Sequence, residues 1–340
     1  MKQRRVIGVV MVAVALSSGC KCETQSEAFV EDVPSRLVGP YLGQEPPGAE
    51  PALFAPGLVS TGAQELSLCT SPDGDEIYFF VTGAAFNPRI IMETRREDSG
   101  WSTPREVSFF SSDRSDSYPF VAPDGQSIFF CSNRTAADGE PSGHHPVIWV
   151  ADREGEGWGE ARKLKFGDED SALGTFPSVA ANGNLYFNGG SNATGSDIFV
   201  SRFDGEDYAE PENLGEAVNS EAGDFHPYIA PDERFILFDS QREDTGRGSN
   251  DLYISVREED GSWGEAQNLG GAVNSEFGEM RPFVTSDGLY LFFASSRPIA
   301  RVFPENPIEF EELRNLVNGP GNRLQDIYWV SAEILDEFLQ

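Results

Sequence analysis

The sequence predicts an all-β fold built from five like units, and three observations carry that expectation. A tight-turn signature recurs five times, as Ser71-Pro72-Asp73-Gly74, Pro123-Asp124-Gly125, Ala181-Asn182-Gly183, Pro231-Asp232-Glu233 and Ser286-Asp287-Gly288. The steps between these signatures are 51, 58, 50 and 55 residues. Each signature lies between two short apolar runs rich in β-branched and aromatic residues. Self-similarity at roughly 40–50 residues with strand-like units marks a β-propeller, one four-stranded blade per repeat. The expected architecture is a five-bladed β-propeller of four-stranded antiparallel blades.

In chain order, Lys2, Arg4 and Arg5 precede an apolar run over residues 6–16 and then Ser17-Ser18-Gly19-Cys20. A basic head, a run too short to span a bilayer and small residues before a cut make residues 1–19 a secretory signal peptide. The Gly19-Cys20 junction resembles the processing site of bacterial lipoproteins, which implies lipidation of Cys20. The match departs from the family pattern at one place. Leu16 sits four residues before Cys20, and the position where the family usually has it holds Ser17. Lys21 follows the cysteine in place of an aspartate, which in Gram-negative lipoproteins implies sorting to the outer membrane. Plain secretion and an uncleaved anchor are the alternatives. Residues 20–50 are expected to be a lipidated, flexible tether: polar, rich in Pro and Gly, with Pro46-Pro47-Gly48 near the end and no period. Cys22 lies on it as a free thiol or a cross-linking partner. Residues 51–340 are the propeller.

Within each unit, Pro presets the first corner of the turn, Asp bonds its own backbone and Gly accepts the left-handed corner. The strands entering the turns are expected at 66–70, 118–122, 176–180, 226–230 and 281–285. Those leaving are expected at 77–81, 128–132, 185–188, 236–240 and 289–294. A third strand follows, opened by Asp197, Asp251 or Asp326 in the last three units and replaced by Arg89-Ile90-Ile91-Met92 and Val147-Ile148-Trp149-Val150 in the first two. Trp101, Trp158, Tyr208 and Trp263 then lead to the outer strands. Two of these end alike, in Leu214-Gly215 before Val218-Asn219-Ser220 and Leu269-Gly270 before Val273-Asn274-Ser275. The fifth unit runs to 326–335 and has no outer strand of its own. Val59 lies six residues before Glu65, as Val218 lies six before Asp224. The amino-terminal segment 51–60 therefore supplies the missing outer strand and closes the last blade, which hides both open edges.

Phe (25), Gly (35) and Pro (22) are abundant while the formal charge is -31, so the acidity belongs to a surface around a sizeable core and not to disorder. A balance this negative excludes nucleic acid as partner and electrostatic adhesion to anionic lipid. Membrane contact is expected only through the lipid anchor. The acid-x-x-Pro-x-x-Ser/Ala-Pro-Asp-Gly, Ser-x-Arg, Asp-Ile-Tyr/Phe and Gly-x-Trp patterns over 51–335 resemble the TolB-type, WD-like propeller repeats of bacterial envelope proteins. The resemblance implies a binding platform or an accessory module, since such repeats serve unrelated assemblies.

Seven residues before each turn proline or its substitute stand Glu65, Asp116, Gly174, Asp224 and Glu279. Four carboxylates thus enter the inner strands on one face. Arg134, Arg242 and Arg297 end second strands and are expected on that same face as ion-pair partners. The third unit lacks both acid and Arg; the first keeps Glu65 without an Arg. Paired acids on inner strands could instead serve as general acid and base or nucleophile of a glycoside hydrolase. Two residues beyond each acid position stand Ser67, Tyr118, Phe176, His226 and Arg281, non-identical residues near the axis. They are the ligand-binding candidates, or they plug the channel. His144-His145 and Asp168-Glu169-Asp170 lack the further ligands a metal needs, and nothing in the sequence asks for a cofactor. Cys69 and Cys131 fit small buried apolar residues, or a disulfide in an exported protein. The long loop 298–325 carries Ile308, Leu313 and Leu316 at helical spacing, which predicts a short helix over 308–316 capping the channel mouth. The expected function is a non-catalytic, envelope-tethered platform for a protein, a peptide or a glycan. The alternatives are the glycoside hydrolase and a purely structural subunit.

Overall fold

The computed structural model describes residues 37–83, 88–110, 114–134, 147–167, 174–192, 195–299 and 307–340. The signal segment, Cys20, Cys22, His144-His145 and Asp168-Glu169-Asp170 lie outside the described residues.

Five small antiparallel sheets stand in a ring. Strand β1 (Ala52–Leu53) comes first in the chain but belongs to the last blade. Blade one holds β2 (Gln64–Thr70), β3 (Glu76–Thr82), β4 (Arg89–Glu97), β5 (Gly100–Trp101) and β6 (Arg105–Glu106), the last two both on the outer side of β4. Blade two repeats this with β7 (Asp116–Val121), β8 (Ser127–Ser132), β9 (Val147–Glu154), β10 (Gly157–Trp158) and β11 (Arg162–Lys163). Blade three is β12 (Thr175–Val179), β13 (Leu185–Asn192), β14 (Gly195–Ser201) and β15 (Glu212–Asn213). Blade four is β16 (Asp224–Ile229), β17 (Phe235–Ser240), β18 (Asp251–Val256) and β19 (Gln267–Asn268). Blade five is β20 (Glu279–Val284), β21 (Tyr290–Ser295) and β22 (Asp326–Ser331), with the helix α1 (Phe310–Asn318) in its second loop. The third strand of that blade is shorter than the 326–335 expected, because Ser331 caps a 3-10 turn over Ala332–Leu335.

The ring closes as the spacing of Val59 implied. β1 pairs antiparallel with β22, Ala52 opposite Trp329 and Leu53 opposite Tyr328. The inner strands β2, β7, β12, β16 and β20 are neighbours in turn around the axis, and β20 lies beside β2. Buried aromatic layers fill the space between blades, with Phe109 stacked on Phe130 at 4.5 Å and Phe166 on Phe187 at 4.8 Å.

The recurring turn works by its side chains. Gly74, Gly125, Gly183 and Gly288 take φ of 72°, 71°, 87° and 71°, and Glu233 takes 57° in the fourth unit. In each unit the N–H of that residue returns to the carbonyl three residues back. The Asp or Asn before it accepts from the backbone two residues on, as Asp124 Oδ1 does from Gln126 at 2.9 Å.

The tether boundary expected at residue 50 moves back. Leu42 is 1% exposed and Tyr41 packs its ring 5.8 Å from Trp329 while its hydroxyl donates to Asp287 at 2.7 Å. Ser331 N–H donates to the Gly48 carbonyl at 3.0 Å. Leu37, Tyr41 and Leu42 join the core while Val38 stays exposed, anchoring that a composition rich in Pro and Gly conceals. Among the described residues no helix is long and apolar enough to cross a membrane.

Candidate functional site

One face of the ring collects the starts of the inner strands, the ends of the second strands and the loops arriving from the preceding blade. The four inner-strand acids are buried there. Arg134 holds Asp116 at 2.6 Å, Arg242 holds Asp224 at 3.1 Å and Arg297 holds Glu279 at 3.1 Å. Each arginine also reaches a carbonyl of the arriving loop, on Phe109, Val218 and Val273 respectively. The acids grip the same loop from the other side. Asp224 accepts from Ser220 N–H at 2.6 Å and hydroxyl at 2.8 Å, and Glu279 from both groups of Ser275 at 2.7 Å. Acid and arginine together clamp one blade to the next.

The two units that break the pattern do so for visible reasons. At Gly174 a Cβ would come within 2.9 Å of Ile148 and Phe187, so packing leaves no room for an acid. Glu65 keeps the grip on its loop, accepting from Thr61 N–H at 3.0 Å and hydroxyl at 2.5 Å, and Gly83 stands where the other units carry the arginine. Burial pushes its carboxyl up to about 7, against those hydrogen bonds, and the nearby Asp326 adds to the rise. Asp326 is itself raised to about 6 by burial. Burial also raises Asp116, with Arg134 opposing.

The five axial positions converge on one cavity. Ser67, Tyr118, Phe176, His226 and Arg281 all have left-handed backbone, with φ of 51°, 56°, 58°, 50° and 59°. Each lies in a register shift of its inner strand, such as that between Phe225 and Tyr228. A bulge at one position in every inner strand swings that side chain toward the axis. Non-Gly residues in this conformation cost of order 1 kcal/mol or more and persist only where the surroundings dictate them. Here the preceding blade does so in three units. Phe176 N–H donates to Cys131 Sγ at 3.2 Å, His226 N–H to Asn188 Oδ1 at 2.7 Å and Arg281 N–H to Asp239 Oδ1 at 3.0 Å. No glycine marks these positions, so the turn-based reading of the sequence could not find the bulge.

The side chains stack on one another. Tyr118 meets Phe176 edge-on at 4.3 Å, Phe176 lies 4.0 Å from His226, and the Arg281 guanidinium sits 5.5 Å from the Tyr118 ring. His226 Nδ1 is 2.7 Å from Asp239 Oδ1, and Asn250 Nδ2 donates to the other oxygen of that carboxylate at 2.8 Å. Burial depresses the imidazole's proton affinity, with Asp239 opposing. The Asp239 carboxylate can only accept, so the proton between them sits on Nδ1, and Nε2 is buried without a protein partner. Arg281 is fixed further by its bond to Gln325 Oε1 at 2.7 Å. The cavity these residues share has a volume of about 30 Å³, room for a water and not for a sugar.

Cys69 and Cys131 are both free and buried, and burial pushes each thiol up to about 12. The helix of the long loop covers Phe310–Asn318 in place of 308–316. Of the three residues that predicted it, Ile308 precedes the helix and Leu313 is exposed. Among the described residues no group of three or more metal-ligating side chains assembles.

No protein-family model and no curated protein matches the sequence. Solved structures do match the fold. A TolB candidate from Agrobacterium tumefaciens is 16% identical over 79% of this chain and 90% of its own, with a TM-score of 0.44. BT0996, solved as an RGII complex, is 12% identical over 76% and 95%, with a TM-score of 0.50. A thermostable family-43 glycoside hydrolase is 12% identical over 74% and 89%, with a TM-score of 0.45. At these identities the likeness is one of fold.

Proposed function

We propose that this chain is a non-catalytic β-propeller, tethered in the cell envelope through a lipid on Cys20, that presents its acid-bearing face to a protein or peptide. The observation that carries the reading is the state of the axis. A glycosidase needs two carboxylates about 5–10 Å apart, facing an open pocket. Here Asp116, Asp224 and Glu279 are held by arginines and Glu65 by Thr61, all buried, while the axial cavity holds about 30 Å³. What this face offers is a surface, the partly exposed rim of Ser67, Phe176, His226 and Arg281 and the loops around it, while the cleft of about 700 Å³ lined by Asp73, Glu76, Arg95 and Arg153 opens on the opposite face. The sequence around Gly19-Cys20 supports the anchor and its outer-membrane sorting.

Photo-crosslinking residues placed at Ser67 and Arg281, and at Asp73 on the opposite face, test the face in the native envelope. Discrete adducts are expected from the first two positions and none from the third. Adducts only at Asp73 would overturn the choice of face. Cleavage of a glycoside by the purified chain, lost in Glu279→Gln, would overturn the non-catalytic reading. The anchor is tested by Cys20→Ala, which should move the chain from the membrane fraction to the soluble one.

A further inference from the structure

The second loop of blade five is the one large departure from the repeat. Its helix α1 is seated firmly at the carboxyl end. A Cβ on Gly62 would collide with the Asn318 carbonyl, so blade one's entry turn lies directly against the helix terminus. Asn322 Nδ2 bridges the carbonyls of Gly62 and Val317 at 3.1 and 3.2 Å. Just beyond, Gly321 N–H donates to Asp326 at 2.8 Å, and the Arg323 guanidinium lies 5.8 Å from the Phe277 ring.

From that footing the helix turns its apolar side outward. Phe310, Leu313 and Val317 are 79%, 42% and 58% exposed, and their spacing of three and four residues puts them in one stripe. Ile299, 57% exposed, stands against Gly321 at the foot of the same insertion. Among the described residues, four of the six exposed large apolar side chains belong to this insertion. A surface helix ordinarily points such a stripe at the core. An apolar stripe facing solvent on a helix held at its carboxyl end is a contact surface in want of a cover.

The chemistry of the cover follows from charge. Glu309 and Glu311 flank the stripe, and its one arginine, Arg314, is turned to Glu311 at 3.4 Å. The chain as a whole carries -31. An anionic bilayer and a second copy of this chain both meet that field as like charge. A cationic protein surface meets it as opposite charge, and anchors at i, i+3 and i+7 are the recognition pattern of a helix laid in a groove. Resting on the protein-binding reading above, we propose that α1 is a docking helix whose Phe310, Leu313 and Val317 seat in an apolar groove rimmed by basic residues on a protein partner.

The test uses the mature full-length chain and, as a defined stand-in for the partner, a short synthetic amphipathic peptide of leucine and lysine. Saturable binding by fluorescence anisotropy is expected, weakening with salt. Phe310→Ser and Val317→Ser should each weaken it about tenfold, as truncation of an interface anchor does, with the thermal melt unchanged because both side chains are exposed. Peptide binding indifferent to both substitutions, or no saturable binding, overturns the proposal. So does stripe-dependent binding to phosphatidylglycerol vesicles, which would make the cover a membrane, or a concentration-dependent dimer lost in Phe310→Ser, which would make it a second copy. Adducts at Ser67 that persist while the stripe proves irrelevant would sink this inference and leave the choice of face standing.

Discussion

Glu65 performs the same grip as Asp224 and Glu279 with one partner fewer, and that difference is measurable. Its carboxyl is raised from 4.5 to about 7, chiefly by burial, and Asp326 moves the same way to about 6. A carboxyl raised by folding binds its proton more tightly in the folded state. The stability it lends is present below the unfolded value and is lost as pH climbs through the folded one. Stability should therefore fall from about pH 5 to about pH 8, with up to about 3 kcal/mol attributable to Glu65. Glu65→Gln should flatten that slope in denaturant melts taken across the range; parallel slopes for parent and variant would refute it. Glu233 offers a second case. It holds φ at 57° where the other units have glycine, and its carboxylate accepts from Asn182 at 3.0 Å, Asn184 at 2.9 Å and Tyr186 at 2.7 Å. Glu233→Ala loses the bonds and keeps the strained backbone, at a cost of about 2–3 kcal/mol. Glu233→Gly loses the bonds but relieves the strain, and urea midpoints should place it about 1 kcal/mol above the alanine variant.

The outer strands show how a repeated phrase becomes a part. They are only two residues long, and in blades three and four an asparagine extends them. Asn219 accepts from Ile198 N–H at 2.8 Å and donates to its carbonyl at 3.0 Å, and Asn274 does the same for Leu252 at 2.8 and 3.0 Å. Ser60 takes that place in blade five, bonding both backbone groups of Ile327 at 3.2 Å. Val59-Ser60-Thr61 is thus the same unit as Val218-Asn219-Ser220, carried at the other end of the chain. Asn274→Ala should cost about 2 kcal/mol in urea melts, and Asn274→Ser should recover part of it, as Ser60 does unaided. The hairpins, the outer-strand aromatics and the clamping acids were legible because the same residues return at the same spacing. The axial bulge was not, since Tyr118, Phe176, His226 and Arg281 carry no glycine at a left-handed position; the proline after each was the one available sign. For α1 the spacing of Ile308, Leu313 and Leu316 pointed to a helix but not to its apolar side, which is Phe310, Leu313 and Val317. It could not tell what that side would meet, so the expected cap over the channel became an outward stripe.

At the scale of the whole molecule, the ring is held by clamps between neighbouring blades and by a single seam at β1 and β22. Removing residues 51–60 takes away the strand and the Ser60 contacts together, leaving β22 as an open edge. That variant should elute as large aggregates where the parent does not; a well-behaved monomer would mean that closure is dispensable.

The pairing of Ala52 with Trp329 also fixes an order of events. Translation delivers residue 52 early, yet its place does not exist until the final strand has emerged. Through most of its synthesis the polypeptide is therefore kept from its finished shape. For the same reason a stop codon ahead of Asp326 gives no smaller working version of the protein, only four complete sheets and a hairpin with nothing to latch them.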